Sequence, residues 1–93
     1  MKEQAIQKKI INYLESRGAW VVKTITVNKR GCPDILACLD GQFIAIEVKS
    51  EGMLSKVTPI QRFQIDAINE TGGIAFAADE LEKVIDILSQ SVD

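Results

Sequence analysis

The chain has no histidine, and its only cysteines are Cys32 and Cys38. Without histidine or a Cys-x-x-Cys pair, a zinc centre has no ligand set, so the sequence argues against one. Residues 32 and 38 of an extended segment also lie too far apart for a disulfide, so both read as reduced thiols of a cytoplasmic protein. No run approaches the ~20 apolar residues that a membrane-spanning helix needs. The opening residues, Met1-Lys2-Glu3-Gln4, lead straight into an amphipathic helical pattern and do not read as a signal peptide. Repeats, low-complexity segments and linkers are also missing. What remains is one small domain, 1–93, with 46% apolar residues and a thin core.

Excess positive charge is lacking too: the net charge is −2. The charges are unevenly placed, however. Residues 1–62 hold ten basic and six acidic residues, a net of +4, whereas residues 63–93 hold one lysine and seven acids, a net of −6. An acidic protein can therefore present a local anion-binding face. Solvated surface charge explains the same asymmetry.

The pattern along the chain gives an αβββαβα order. Ile6, Ile10, Tyr13 and Leu14 make a helical stripe from Glu3 to about Arg17, ended by Gly18. Trp20 to Val27 is rich in β-branched residues and predicts a strand, followed by a basic loop, Asn28-Lys29-Arg30-Gly31. From Asp34 to about Ser50, two apolar runs flank Asp40-Gly41, a strong hairpin signal. Glu51 to Val57 is a polar loop. Thr58 then serves as N-cap and Pro59 as first residue of a helix ending near Gly72-Gly73. Ile74 to Ala77 is a short strand, and Asp79 caps a last helix with Leu81, Val84, Ile85 and Leu88 on its apolar stripe. Hairpin strands apolar on both faces, with three helices to cover them, predict a three-layer α/β sandwich with a mixed central sheet flanked by helices.

Chemistry concentrates at Pro33-Asp34 and Glu47-Val48-Lys49. Twelve residues separate Asp34 from Glu47. In the second run Phe43, Ala45, Glu47 and Lys49 share one face. If the hairpin pairs in simple register, Asp34 lies across from the far end of that strand, near both Glu47 and Lys49. Two carboxylates and an ammonium in an apolar sheet are costly to desolvate, unless they hold a hard cation and use the amine beside it. Each residue alone has a plainer reading. Asp34 can be a turn residue, Glu47 and Lys49 an ion pair on a solvated face, and Glu3 a first-turn carboxylate favoured by the helix dipole. Gln61 fits a capping box with Thr58, yet it shares a face with Ile65 and Ile68 that points toward the sheet.

Taken together, these residues resemble the PD-(D/E)XK nuclease superfamily, and more closely its virus-type replication-repair nuclease (VRR-NUC) domain in its short standalone phage and bacterial form. The resemblance covers nearly the whole chain. It rests on Glu3, the basic loop into Gly31-Cys32-Pro33-Asp34, the Phe43–Ser50 strand with Glu47-Val48-Lys49, the Thr58-Pro59-Ile60-Gln61 helix start, and the closing Gly-Gly strand and helix. It implies a restriction-endonuclease-like core and a DNA endonuclease dependent on Mg²⁺ or Mn²⁺. It also implies action on branched DNA such as four-way junctions. Asp34, Glu47 and the carbonyl of Val48 would be metal ligands, with Glu3 binding directly or through water. Lys49 would act on the attacking water, with Gln61 holding Lys49 or that water. Lys23, Lys29, Arg30 and Lys56 are the expected DNA contacts. A homodimer is expected, through Trp20–Val27 or through the last helix with Leu88 and Val92. A flap, nicking or restriction-type nuclease, or a non-catalytic DNA-binding subunit of the same fold, are the alternatives.

Overall fold

The structure is a computed structural model and describes residues 1–90. Val92 lies outside the described residues. The first helix, α1 (Glu3–Ser16), buries Ile6, Gln7, Ile10 and Leu14. These form one continuous face at three- and four-residue spacing. The chain turns out of it through Arg17 and Gly18 into β1 (Trp20–Lys23), which pairs antiparallel with β2 (Ile35–Leu39). β2 pairs antiparallel with β3 (Gln42–Val48). The turn between them places Asp40 at φ 52° and Gly41 at φ 79°. Positive φ at both central residues is the type I′ geometry, whose twist matches that of the flanking strands.

After β3, a polar loop containing a short 3₁₀ turn (Leu54–Lys56) leads to α2 (Pro59–Glu70). α2 crosses over to β4 (Ile74–Ala78), which runs parallel to β3. The last helix is α3 (Leu81–Gln90). Sheet order is β1-β2-β3-β4, so the strands that carry the candidate carboxylates are the central ones or adjoin them. The mixed α/β sheet and the αβββαβα order are as expected. One face packs Ile35, Ile44, Ile46 and Val48 against Ile6, Ile10, Leu14, Val84 and Leu88 of α1 and α3. The other packs Ala45 and Ala75 against Ile65 of α2. The helices thus form layers on both sides of the sheet. No helix among the described residues is long and apolar enough to cross a membrane.

Three sequence expectations need correction. The first strand stops at Lys23, not Val27. Register explains why: Lys23 faces Ile35, so Ile25 would face Pro33, which has no N–H to give to a ladder. Thr24 makes the last contacts, with its amide and its hydroxyl both donating to Asp34 O, and the hydroxyl also to Pro33 O. β-Branched character without a partner strand leaves Ile25 92% exposed. Secondly, Asp79 is not adjacent to the last helix, which begins at Leu81. Its buried carboxylate instead accepts from the amide of Gly52 at 2.8 Å and pairs with Lys83 at 2.8 Å, pinning the loop after β3 to the end of β4. Thirdly, Leu88 is buried in the core at 2% exposure and offers no surface for a partner.

The basic loop is docked, not loose. Gly31 sits at φ 78°, and a Cβ there would come within 2.7 Å of the carbonyl oxygen of Ile60 in α2. Gln64 also donates to the carbonyl of Arg30 at 3.0 Å. Gly31→Ala is therefore expected to lower stability by about 2 kcal/mol or more through backbone strain and overlap. Thermal unfolding measures this directly. An unchanged melting temperature would mean that the loop does not rest on α2.

Candidate active site

The site is set by the hairpin register. Ile35 pairs with Ile46, and one step further Asp34 lies across from Glu47. Side-chain alternation then turns Glu47 onto the α2 face of the sheet, beyond Ala45. Asp34 is locked from the side, because its Oδ2 accepts from the amide of Val48 at 2.8 Å. Glu3 enters from the first turn of α1. Glu3, Asp34 and Glu47 each offer a carboxylate oxygen, and these atoms lie within 4.8 Å of one another.

Gln61 resolves the two readings its sequence left open by satisfying both. The capping box is complete: Thr58 Oγ1 accepts from the Gln61 amide, and Gln61 Oε1 accepts from the Thr58 amide. Such caps contribute about 1 kcal/mol to the helix. The other end of the same side chain, Nε2, donates to Glu47 Oε2 at 3.2 Å. The cap thus orients an amide toward the sheet. Lys49 Nζ lies 3.7 Å from the same Glu47 Oε2. Gln61 therefore meets Glu47, where the resemblance led one to expect Lys49 or water. Glu47 Oε1 is buried with no hydrogen-bond partner among the described residues.

Glu47 is 2% exposed, and its pKa is pushed up to about 8. Burial is the largest cause, followed by the charge of Asp34 and a hydrogen bond with it; Lys49 opposes the shift and Glu3 adds to it. Near neutral pH, Glu47 thus carries a proton. Burial also raises the Cys32 thiol, helped by Glu47 and Asp34, so that cysteine stays protonated, and both cysteines are free.

The donor set fits a hard divalent cation. Three convergent carboxylates, one with an orphaned buried oxygen, repel each other and lack a counter-charge equal to their number. The expected DNA contacts spread around this point. Lys23 lines a groove with Glu3, and Lys29 lines another with Pro33 and Phe63. Arg30 is exposed on the docked loop, and Lys56 is exposed at the end of the 3₁₀ turn. Two residues were missed by the sequence reading. Thr24 anchors the Pro33-Asp34 carbonyls, and pairing of the first two strands would have placed it opposite Asp34. Gln7 is buried one turn beyond Glu3. Its i, i+4 relation to Glu3 is the sequence signal that could have found it.

This hairpin and helix, with a carboxylate pair and a lysine, are those of a PD-(D/E)XK nuclease. A family model described as archaeal Holliday junction resolvase (Hjc) matches residues 1–68, and the chain belongs to that family. Two solved structures are also similar. One, described as a VRR_NUC domain, is 25% identical with a TM-score of 0.83, covering 98% of each chain. The other, a VRR_NUC domain protein, is 21% identical with a TM-score of 0.76, covering 99% of this chain and 88% of that one. A search of the curated proteins gave no match.

The raised pKa has a measurable sign. Folded Glu47 holds its proton more tightly than the free carboxylate, with its value of 4.5, so its contribution favours folding fully below about pH 4.5. That contribution is lost as pH rises toward about 8. With a chelator present, Glu47→Gln should therefore gain on the wild type in melting temperature as pH climbs through this window. Parallel pH profiles for the two proteins would show that Glu47 is not protonated near neutrality.

Proposed function

We propose that the protein is an endonuclease that hydrolyses phosphodiester bonds of branched DNA, four-way junctions foremost, with Mg²⁺ or Mn²⁺. The observation that carries this reading is the convergence of Glu3, Asp34 and Glu47 within 4.8 Å, with Lys49 beside Glu47. The resolvase family supplies the substrate class. The same reading takes residues 1–93 as one nuclease domain.

Asp34, Glu47 and the carbonyl of Val48 would hold the cation, with Glu3 completing the set directly or through water. When bound, such a cation lowers the pKa of water and offsets charge on the phosphoryl oxygens. The chain's own residues do the rest. Val48 N–H fixes one oxygen of Asp34, and Gln61 fixes Oε2 of Glu47, so neither carboxylate has to be ordered during the reaction. Lys49, held at Glu47, would orient the attacking water or help deprotonate it, and would offset charge as the new P–O bond forms and the bridging P–O bond breaks. Lys23, Lys29, Arg30 and Lys56 hold the DNA backbone. Two copies pair, and the candidate surface is the β1 edge with Trp20, which is 67% exposed, and neighbouring Ile25. Pairing there merges two basic loops and fixes two sites for paired cuts.

Asp34→Asn and Glu47→Gln should each lower cleavage by about three orders of magnitude or more, with junction binding retained. Lys49→Ala should lower it about 10²–10⁴-fold without weakening cation affinity, since a nearby positive charge is removed. A labelled panel of duplex, flap, fork and four-way-junction DNA with Mg²⁺ or Mn²⁺ reads all three. Normal turnover by Asp34→Asn, or no cation-dependent cleavage of any substrate by the wild type, ends the reading.

Light scattering at micromolar concentration should give a dimer. Lys29→Glu with Arg30→Glu should weaken junction binding and flatten its salt dependence. A monomer that still makes symmetric paired cuts would remove the dimer. An unchanged salt slope would place the DNA away from the basic loop.

A further inference from the structure

A furrow leads away from the carboxylate cluster along α1. Its first part, a groove of about 590 Å³, has Glu3 at its lip, with Lys2, Gln7, Lys23 and Ser50 around it. A second depression of about 350 Å³ shares Gln4, Gln7 and Lys23 with the first and runs on to Lys8 and Asn12. The two adjoin at these shared residues. Among the described residues that line them, Lys2, Lys8 and Lys23 are cationic, Glu3 is the only acid, and none is aromatic. Glu3 belongs to the carboxylate cluster, and beyond it the furrow is positive and rich in neutral donors.

Gln7 marks the middle of this track. It is 6% exposed, and its Oε1 has no hydrogen-bond partner among the described residues. It shares the inward face of α1 with Ile6 and Ile10, where an apolar side chain would pack without an unsatisfied group. An amide both donates and accepts. It can give an N–H to a phosphate oxygen while its Oε1 accepts from a lysine ammonium drawn in by the same phosphate.

We propose that this furrow seats the sugar–phosphate backbone of one DNA strand on one side of the cut, with Gln7 as a hydrogen-bonding contact. The proposal rests on the nuclease reading of the carboxylate cluster and assigns its flanking subsite. Lysines with neutral donors and no aromatic fit backbone positioning, not base stacking. From Glu3 to Asn12 the helix rises about 13 Å, the axial length of about four nucleotides of one B-form strand. Gln7, about 6 Å along, falls near the second phosphate.

The test uses four-way junctions carrying single uncharged methylphosphonates at successive positions beside the cut, with binding measured in Ca²⁺ across a salt series. Lys2→Ala with Lys8→Ala should bind more weakly and lower the salt slope by about 2. Gln7→Leu should lose about tenfold in affinity while its melting temperature stays equal or rises. A methylphosphonate near the second phosphate should weaken the wild type but add nothing to the Gln7→Leu loss. Wild-type affinity and slope in the double-lysine variant, or interference maps that are the same for wild type and Gln7→Leu, would overturn the furrow. Failure of the nuclease reading is separable, since it shows as wild type that cuts no DNA with any cation, whatever the binding map.

Discussion

Asp34 and Glu47 face each other across the β2–β3 ladder, and Glu3 joins them from α1, so two half-buried carboxylates converge on a buried one. Their mutual repulsion and desolvation are the constraint to which the surrounding structure answers. Each neighbouring device supplies a donor or a positive charge. The Val48 amide takes Asp34, the Gln61 amide and the Lys49 ammonium take one oxygen of Glu47, and a raised pKa leaves Glu47 protonated near neutrality. One buried Glu47 oxygen is still left without a hydrogen-bond partner among the described residues. On the proposed reading, a hard cation would close that gap.

The fold holds these groups by independent routes. A type I′ turn at Asp40-Gly41 fixes the hairpin register and hence the Asp34–Glu47 pairing. The capping box at Thr58 fixes the direction of Gln61. Thr24 and the Gly31–Ile60 contact hold the loop from which Asp34 emerges, and Asp79 ties the loop that follows Lys49. Rigid elements thus meet at one place from both faces of the sheet, which is how a small chain can preorganise a site without a large core.

The hairpin pair was legible in the sequence because a two-residue turn and a period of two leave one register that buries the apolar face. Gln61 was half legible, since the capping signal gave its position but not the second hydrogen bond. Glu3 was visible only as a helix residue with a familiar place in a nuclease pattern, because its approach to Asp34 is a tertiary fact that periodicity does not carry. The over-long first strand shows the limit of propensity. β-Branched residues from Thr24 to Val27 met a proline across the ladder, and the partner decided the outcome. Thr24 escaped notice because its importance lies in what it touches, and Gln7 because its burial beside Glu3 is a tertiary fact.

The account stands most directly on proton release when a cation binds. If Glu47 is protonated near neutrality and becomes a ligand, titrating the protein with Mn²⁺ at pH 7 must expel that proton. Calorimetry in two buffers of different ionisation enthalpy counts it. The account predicts saturable binding with release of close to one proton per protein, from a group whose pKa lies near 8, and loss of that release in Glu47→Gln. No binding at millimolar Mn²⁺ would contradict the claim that this carboxylate cluster is a cation site, and cation binding with no proton released would contradict the protonation of Glu47.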